Sequence, residues 1–452
     1  MKLTHALRLT SVPRLALVGA GGKTTALFQL ARELLSPVIV TTTTHLHVDQ
    51  RKLADSHWIV NKPNDFTNVE NNLHGVILIT GPIDGERTTG LNNEQIHWLC
   101  VFCDLHSLPL LIEADGSRMR PLKAPADREP SIPDFVDTVV VVAGLEGIGK
   151  PLTEEFVHRP EIFSRLSGLA RGQAITSTAL IKVLTHPMGG LKNIPSRAKR
   201  VVLLNQGDTV DLLAESDFMA EQLLDVFDAV LVSGLGWLQE DKKKHSNGST
   251  IQHRDIVAVH EPTAGIILAA GQSSRFGHTK QLLAYNGQPF VRVVAQNALT
   301  ARLSPVVVVT GSDAEAVESS IRDLPITIAR NAEWQKGQSS SIQAGLKCLP
   351  AKTGSAIFLL ADQPQVKPPV LRALIERHAI DLAPIIAPLI NGQRGTPVEF
   401  DRITFPELMN LKGDVGGRAI FSKFPVTLLP WHDYNLLTDI DTPEDYRIFI
   451  GE

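Results

Sequence analysis

The chain has 452 residues, 43% of them hydrophobic and 20% charged, with a formal net charge of −4. At roughly 150 residues per domain, that length predicts two or three domains with sizeable apolar cores. The weak negative charge gives no support for a nucleic-acid partner, and no apolar run reaches the about 18 residues that a membrane span needs.

The N-terminal stretch MKLTHALRLTSVPRLALVGAGGKTT lacks a signal-peptide layout, because its apolar part runs straight into a glycine-rich loop. Three cysteines argue for a reducing compartment, so a cytoplasmic location is expected. Short runs rich in Val, Ile and Leu then follow: LALVG (15–19), PVIVTTTT (37–44), GVILITG (75–81), LPLLIEADG (108–116), DTVVVVAG (137–144), RVVLLNQ (200–206) and DAVLVSG (228–234). Most are continuous rather than alternating, which suits strands covered on both faces. Helix-like stretches such as TTALFQLARELL lie between them, predicting a mostly parallel α/β sheet flanked by helices.

Within this half, VGAGGKTT (18–25) sits between a strand and a helix, the context of an anion-binding loop. Gly22, Lys23 and Thr24 are the candidate nucleotide-binding residues there. Lys23 and Thr24 match the end of a P-loop, but the strict pattern needs glycine at 17, where Leu17 stands. Glu113 and Asp115 close a predicted strand, where an acidic residue can hold magnesium. Arg118, Arg120 and Lys123 add positive charge nearby. His97, Cys100, Cys103 and His106 are spaced by three, which drifts around a helix by about 60° per step and does not converge on a metal. Trp98, Leu99, Val101 and Phe102 between them read as core of a buried helix.

The segment WLQEDKKKHSNGSTIQHRD has a lysine run and turn formers but little apolar periodicity. The expected division is therefore 1–237 as a P-loop-like domain, 238–262 as linker, and 263–452 as a second α/β domain. That second series starts with AGIILAAG (264–271) and continues through PVVVVTG (305–311), SAIFLLADQ (355–363) and PIIAPLING (384–392).

GIILAAGQSSRFGHTKQLL carries the sharpest signal. Leu268, Ala269, Ala270 and Gly271 bring bare backbone close to a ligand, with N–H groups free to face phosphate oxygens. Arg275 and Lys280 follow at fixed offsets with mobile positive charge. The written pattern L-A-A-G-x-x-x-R-x-G-x-x-K predicts phosphate binding. Asp362, at the C-terminal end of a predicted strand, lies where ligands of open α/β sheets sit. It is the first candidate magnesium ligand, since Mg²⁺ needs only one or two carboxylates beside phosphate.

This pattern resembles the nucleotidyltransferases of the nucleotide-diphospho-sugar transferase (Rossmann-like) fold. Within that group it is most similar to the molybdenum cofactor cytidylyltransferases. NAEWQKGQSSSIQAGL (331–346), ADQP (361–364), GQRGTPVEF (392–400), LKGDVGGR (411–418) and DIDTPEDY (439–446) extend the resemblance over 264–452. It implies nucleotide contacts at Ser339 and Ser341, although serines after a glycine are also common helix N-caps. It implies acceptor contacts at Arg394, Gly395, Pro397, Gly413, Asp414 and Arg418. Asp441 becomes the second magnesium ligand, with Asp439 a close competitor that spacing does not remove. Ala270 and Gln363 resemble the cytidylyl-transferring branch.

The activity so implied is Mg²⁺-dependent transfer of CMP from CTP to molybdenum-molybdopterin, with release of pyrophosphate. Arg275, Lys280 and Asp362 would be its catalytic residues. A phosphate nucleophile is ionised at neutral pH, so no general base is assigned. The N-terminal half, through its loop, LLIEADGSRMRPLKAP (110–125) and HRPEIF (158–163), resembles accessory proteins of selenium-dependent molybdenum hydroxylases. An apo molybdenum hydroxylase is accordingly an expected partner. Two alternatives stay open: cytidylyl or guanylyl transfer to another phosphorylated acceptor, and a non-catalytic cofactor chaperone for a hydroxylase.

Overall fold

The computed structural model describes residues 1–234, 255–272, 276 and 279–451. Residues 238–254 of the expected linker, and Arg275 and Gly277 of the phosphate-binding pattern, lie outside the described residues. The chain divides into two compact units, Met1–His260 and Glu261–Glu452.

The first unit is built on a nine-stranded sheet. Its strands in chain order are β1 (Arg14–Gly19), β2 (Val38–Thr42), β3 (Ser56–Ile59), β4 (Val76–Thr80), β5 (Leu110–Glu113), β6 (Thr138–Gly144), β7 (Lys199–Asn205), β8 (Ala229–Gly234) and β9 (Asp255–His260). In space they run β9-β8-β7-β6-β1-β5-β2-β4-β3. All neighbours are parallel except the antiparallel pair β8 and β9. The continuous apolar runs reflect this: every residue of TVVVVAG in β6 is buried, as both faces of a parallel sheet are covered. Strands β2 to β5 all lie on one side of β1 and β6 to β9 on the other. The connections therefore diverge at β1, whose carboxyl end is the switch point of this sheet.

Two expectations need correction. The expected linker does not extend over 255–260, because Ile256 and Val259 bury against the sheet and β9 covers the open edge of β8. The cysteine stretch does form a helix, α2 (Asn93–Leu105, after α1 at Lys23–Glu33), with Cys100 and Cys103 buried. Val101, however, is 55% exposed, because it falls on the outer face of the helix rather than in the core.

In the second unit the strands are β10 (Thr263–Ala269), β11 (Val306–Thr310), β12 (Thr327–Arg330), β13 (Ser355–Leu360), β14 (Ile385–Ile390), β15 (Gln393–Arg394), β16 (Val398–Asp401) and β17 (Val426–Pro430). They form one sheet in the order β12-β11-β10-β13-β16-β14-β15, with β17 also paired to β14. Strand β10 is parallel to both neighbours, whereas β16 runs antiparallel between β13 and β14.

Successive residues of β10 feed opposite cores, as strand geometry requires. Ile267 and Ala269 pack with Val291, Val294 and Ala298 of α3 (Phe290–Thr300). Ile266 and Ala270 pack with Ile342 and Leu346 of α4 (Gln338–Lys347) on the other face. The chain turns one way from β10 to β11 and the other way beyond β13, so the carboxyl ends of β10 and β13 flank the switch point. Among the described residues, no helix is long and apolar enough to cross a membrane.

Candidate active site

At that switch point of the second unit lies an open cleft of about 780 Å³. One wall is the carboxyl end of β10 and the loop after it, with Leu268, Ala270, Gly271 and Gln272. The others are the loop after β13, with Ala361 and Asp362, the turn into α4 and its first turn, with Trp334, Gly337 and Ser341, and the residues Lys280, Asp414 and Asp441. Lys280 sits in a short 3-10 turn, Lys280–Leu282, and is only 9% exposed. Its ammonium lies 2.7 Å from Asp362 Oδ2 and 3.1 Å from Asp441 Oδ1. Burial opposes that charge, but the two carboxylates outweigh it and hold the ammonium above the ordinary lysine range.

Asp441 and Asp439 are thus separated by geometry. Asp441 lines the cleft and shares a cation with Asp362, whereas Asp439 is exposed and lines no part of it. Backbone capping explains the placement. Asp441 and Thr442 donate their N–H groups to Asp445 Oδ2 at 3.0 and 2.8 Å, and Thr442 Oγ1 accepts from Asp445 N. This capping box sets the start of the last helix, Pro443–Ile450, and fixes Asp441 just ahead of it.

The other expected residues divide. Ser341 lines the cleft and accepts from Asn331 Nδ2 at 3.0 Å. Ser339 is buried and turned away, donating to Gly413 O at 2.6 Å. Ala269 is fully buried behind the loop. Asp414 lines the cleft while its Oδ1 accepts from Gln338 N at 3.0 Å, capping α4. Gly413 stands in the left-handed region at φ 77°, in the same loop. Arg394 is exposed and lies 5.2 Å over the Phe421 ring, Arg418 is exposed, and Gly395 and Pro397 are buried; none of the four lines the cleft.

Three glutamines matter here that the sequence did not single out as supports. Gln281 Nε2 donates to Gly271 O at 2.9 Å, which steadies the loop. Gln365 Nε2 donates to Thr438 O at 2.8 Å and so ties the segment bearing Asp362 to the one bearing Asp441. Gln363 accepts from Thr396 Oγ1 at 2.7 Å. Single glutamines beside a motif carry no period or spacing that marks such tethers.

The glycine loop of the first unit has its own constellation. Gly19 and Gly21 have φ of 96° and 85°, and a Cβ on either would stand 2.2 Å from Val142 O or 2.4 Å from Gly144 N. Only glycine permits so close an approach of β1 to β6. Lys23 is 3% exposed and donates to Gly19 O at 2.7 Å, with Asp115 Oδ1 at 3.3 Å. Thr24 Oγ1 donates to Glu113 Oε2 at 2.8 Å, and burial pushes the Glu113 carboxyl up.

Asp115 accepts from Gly19 N at 3.0 Å and faces Lys123 at 2.8 Å. Lys123 in turn meets Glu129, which is held by Arg159 at 2.8 and 2.9 Å. Gly22 Cα sits against Asn205, whose Nδ2 donates to Gly21 O at 2.6 Å. Gly22, Lys23 and Thr24 are therefore together at one strand end. A hollow of about 30 Å³ beside Gly19, Asp115 and Lys123 has room for little more than a water.

Comparison with known proteins defines the class of each unit. Residues 265–428 match the MobA-like NTP transferase domain, and residues 15–161 match the YqeC protein family. Uncharacterized protein YqeC of Escherichia coli (strain K12) is 33% identical over 220 residues, covering 45% of this chain and 80% of that protein. Purine catabolism protein PucB of Bacillus subtilis (strain 168) is 31% identical over 197 residues, covering 40% of this chain and 93% of that protein. Among solved structures, Rv0371c from Mycobacterium tuberculosis H37Rv is 27% identical, covers 42% of this chain and 98% of that one, and has a TM-score of 0.39. The C-terminal unit is a nucleotidyltransferase. The chain belongs to the YqeC family through its N-terminal half and to the MobA-like NTP transferases through its C-terminal half.

Proposed function

We propose that the C-terminal unit transfers CMP from CTP to the terminal phosphate of molybdenum-molybdopterin and releases pyrophosphate. The observation that carries this reading is the convergence of Asp362 and Asp441 on one cationic nitrogen, across a cleft whose other wall is the Gly271 loop. Two carboxylates gripping one cation fit a magnesium ion, which takes oxygen ligands and leaves the rest of its shell to phosphate and water. Such an ion would draw off negative charge as the α-phosphorus is attacked.

The protein's own groups do the rest. The backbone at Leu268 to Gly271 would face the phosphates. Lys280 and Arg275 would neutralise the charge that builds on the departing pyrophosphate. The attacking phosphate is already ionised, so the site needs no proton acceptor and works by holding two anions in line. Ser341 and Asp414, on the α4 side of the cleft, would orient the nucleoside and the acceptor.

Cytosine and molybdopterin rest on the family resemblance, with Ala270 and Gln363 as its markers. The N-terminal unit, in the same reading, is an accessory module for a molybdenum hydroxylase, and nucleotide binding there through Gly22, Lys23 and Thr24 would require Lys23 to leave Gly19 O and Asp115. The transfer is tested by pyrophosphate release from CTP, GTP, ATP and UTP, each with molybdenum-molybdopterin and with a simpler phosphorylated acceptor. Release confined to CTP with the molybdenum compound supports the reading. Release from GTP, or with any phosphorylated acceptor, replaces it with a different transfer.

A further inference from the structure

The same residues imply an order of binding. Lys280 occupies the position between Asp362 and Asp441 where the reading above puts the metal ion, with contacts of 2.7 and 3.1 Å. An ammonium and a divalent cation cannot both sit there, since they would repel and would compete for the same carboxylate oxygens. The Lys280 side chain is 11% exposed, whereas those of Asp362 and Asp441 are 32% and 60% exposed. The carboxylates are therefore reachable from the cleft while their shared cation is supplied from the protein side.

We infer that Lys280 is a metal lock: its ammonium holds the two carboxylates until a triphosphate draws it away, so the ion enters with the nucleotide and not before. The physical reason is competition. A polyphosphate lying along the Gly271 loop offers the ammonium several anionic oxygens, and the carboxylates released by that move accept the metal. By linkage, nucleotide and metal then tighten one another's binding by the same factor. The device would keep the free enzyme from being loaded with whichever divalent cation is abundant. It rests on the metal-dependent transfer proposed above.

The test is a Mn²⁺ titration of the full-length chain, followed by loss of the free-ion paramagnetic resonance signal, with and without the α,β-methylene analogue of CTP. Without nucleotide, Lys280→Met should bind Mn²⁺ about tenfold more tightly than wild type, the factor expected if the lock closes about nine-tenths of the molecules. The double variant Lys280→Met, Asp362→Asn should lose that gain, which assigns it to this cleft. With the analogue, wild type should gain affinity and the advantage of the variant should shrink. Lys280→Gln, run in parallel with circular dichroism, gives the same tightening should the methionine variant fail to fold. Equal Mn²⁺ affinity of wild type and both Lys280 variants without nucleotide, while the analogue still enhances binding, overturns the lock and leaves the metal reading standing. Absence of Mn²⁺ binding in every protein, even with the analogue, overturns both.

Discussion

Both units place a lysine beyond a glycine-containing strand end and face it with carboxylates, yet the two constellations are built to opposite effect. In the first unit Lys23 directly follows the loop, so its ammonium folds back to Gly19 O at 2.7 Å and reaches Asp115 at 3.3 Å. Lys123, Glu129 and Arg159 close the network from behind, and the adjoining hollow measures about 30 Å³. In the second unit Lys280 stands farther along the chain, in a separate turn, and bridges two partly exposed carboxylates in the wall of an open cleft of about 780 Å³. The same residue types thus make a charge network packed on itself in one place and a receptive cleft in the other. What differs is the chain distance between loop and lysine, which decides whether the lysine fills the loop or faces it.

The largest effect that can break this contrast is Asp115→Ala. It leaves Lys23 and Lys123 buried beside a lost partner, so the first unit should lose about 3–5 kcal/mol of stability in chemical denaturation. A loss under about 1 kcal/mol would mean that the network is not the closed structure described. Asp362→Ala probes the open site instead. Pyrophosphate release should fall by at least ~10²–10³, the scale of one preorganised electrostatic group. Near-normal metal-dependent turnover in that variant would remove Asp362 from the chemistry.

Acid should separate the two sites next. Burial opposes ionisation of Glu129, but hydrogen bonds from Arg159 and Lys123 outweigh it and hold its carboxyl at about 2. A depressed carboxylate contributes stability above its ordinary value, and that contribution is lost as pH falls from about 4.5 towards 2. Burial and the Arg159 charge lower His158 to about 4, so the folded state prefers it neutral and loses stability as pH falls below 6.5. Lys280 has the opposite sign: while its two partners are ionised, its raised value gives stability that is full at neutral pH and is lost only above the lysine range. Hydrogen exchange should therefore rise around 157–163 between pH 6.5 and 4 and around 113–130 only below about pH 4.5, with no Lys280-linked change around 280–282 over that range. Simultaneous loss would contradict the assignment. The smallest effect belongs to Ser339→Ala, which deletes one bond to Gly413 O and should cost about 0.5–1.5 kcal/mol. A large rise in the KM for nucleotide with unchanged stability would instead return Ser339 to the binding surface.

Legibility varied with burial. Runs such as DTVVVVAG and AGIILAAG announce β6 and β10 because a strand covered on both faces is apolar at every position. Strands β3, β12 and β17 are short and largely unburied at the sheet margins, so SHWI, TIAR and VTLLP carry no such run. Strand β16 hid inside a stretch read as an acceptor loop, and its Glu399 is fully buried, bonded to Ser355 at 2.7 Å. At the candidate site, Gly271, Lys280 and Asp362 stand out through spacing and strand-end position. Asp441 was distinguishable from Asp439 only by which of them faces the cleft.

By itself, the order of residues determined what is local: which runs become parallel strands, where glycine lets backbone approach backbone, and which loops carry charge. Those features depend on each residue's own conformational range and on burial, which neighbours in the chain reveal. Only the tertiary structure decided which charges meet. Lys280 with Asp362 and Asp441, Lys23 with Asp115, and the tether from Gln365 to Thr438 join segments far apart in the chain. Their energies depend on distance and exposure, and the folding of each sheet is what sets both.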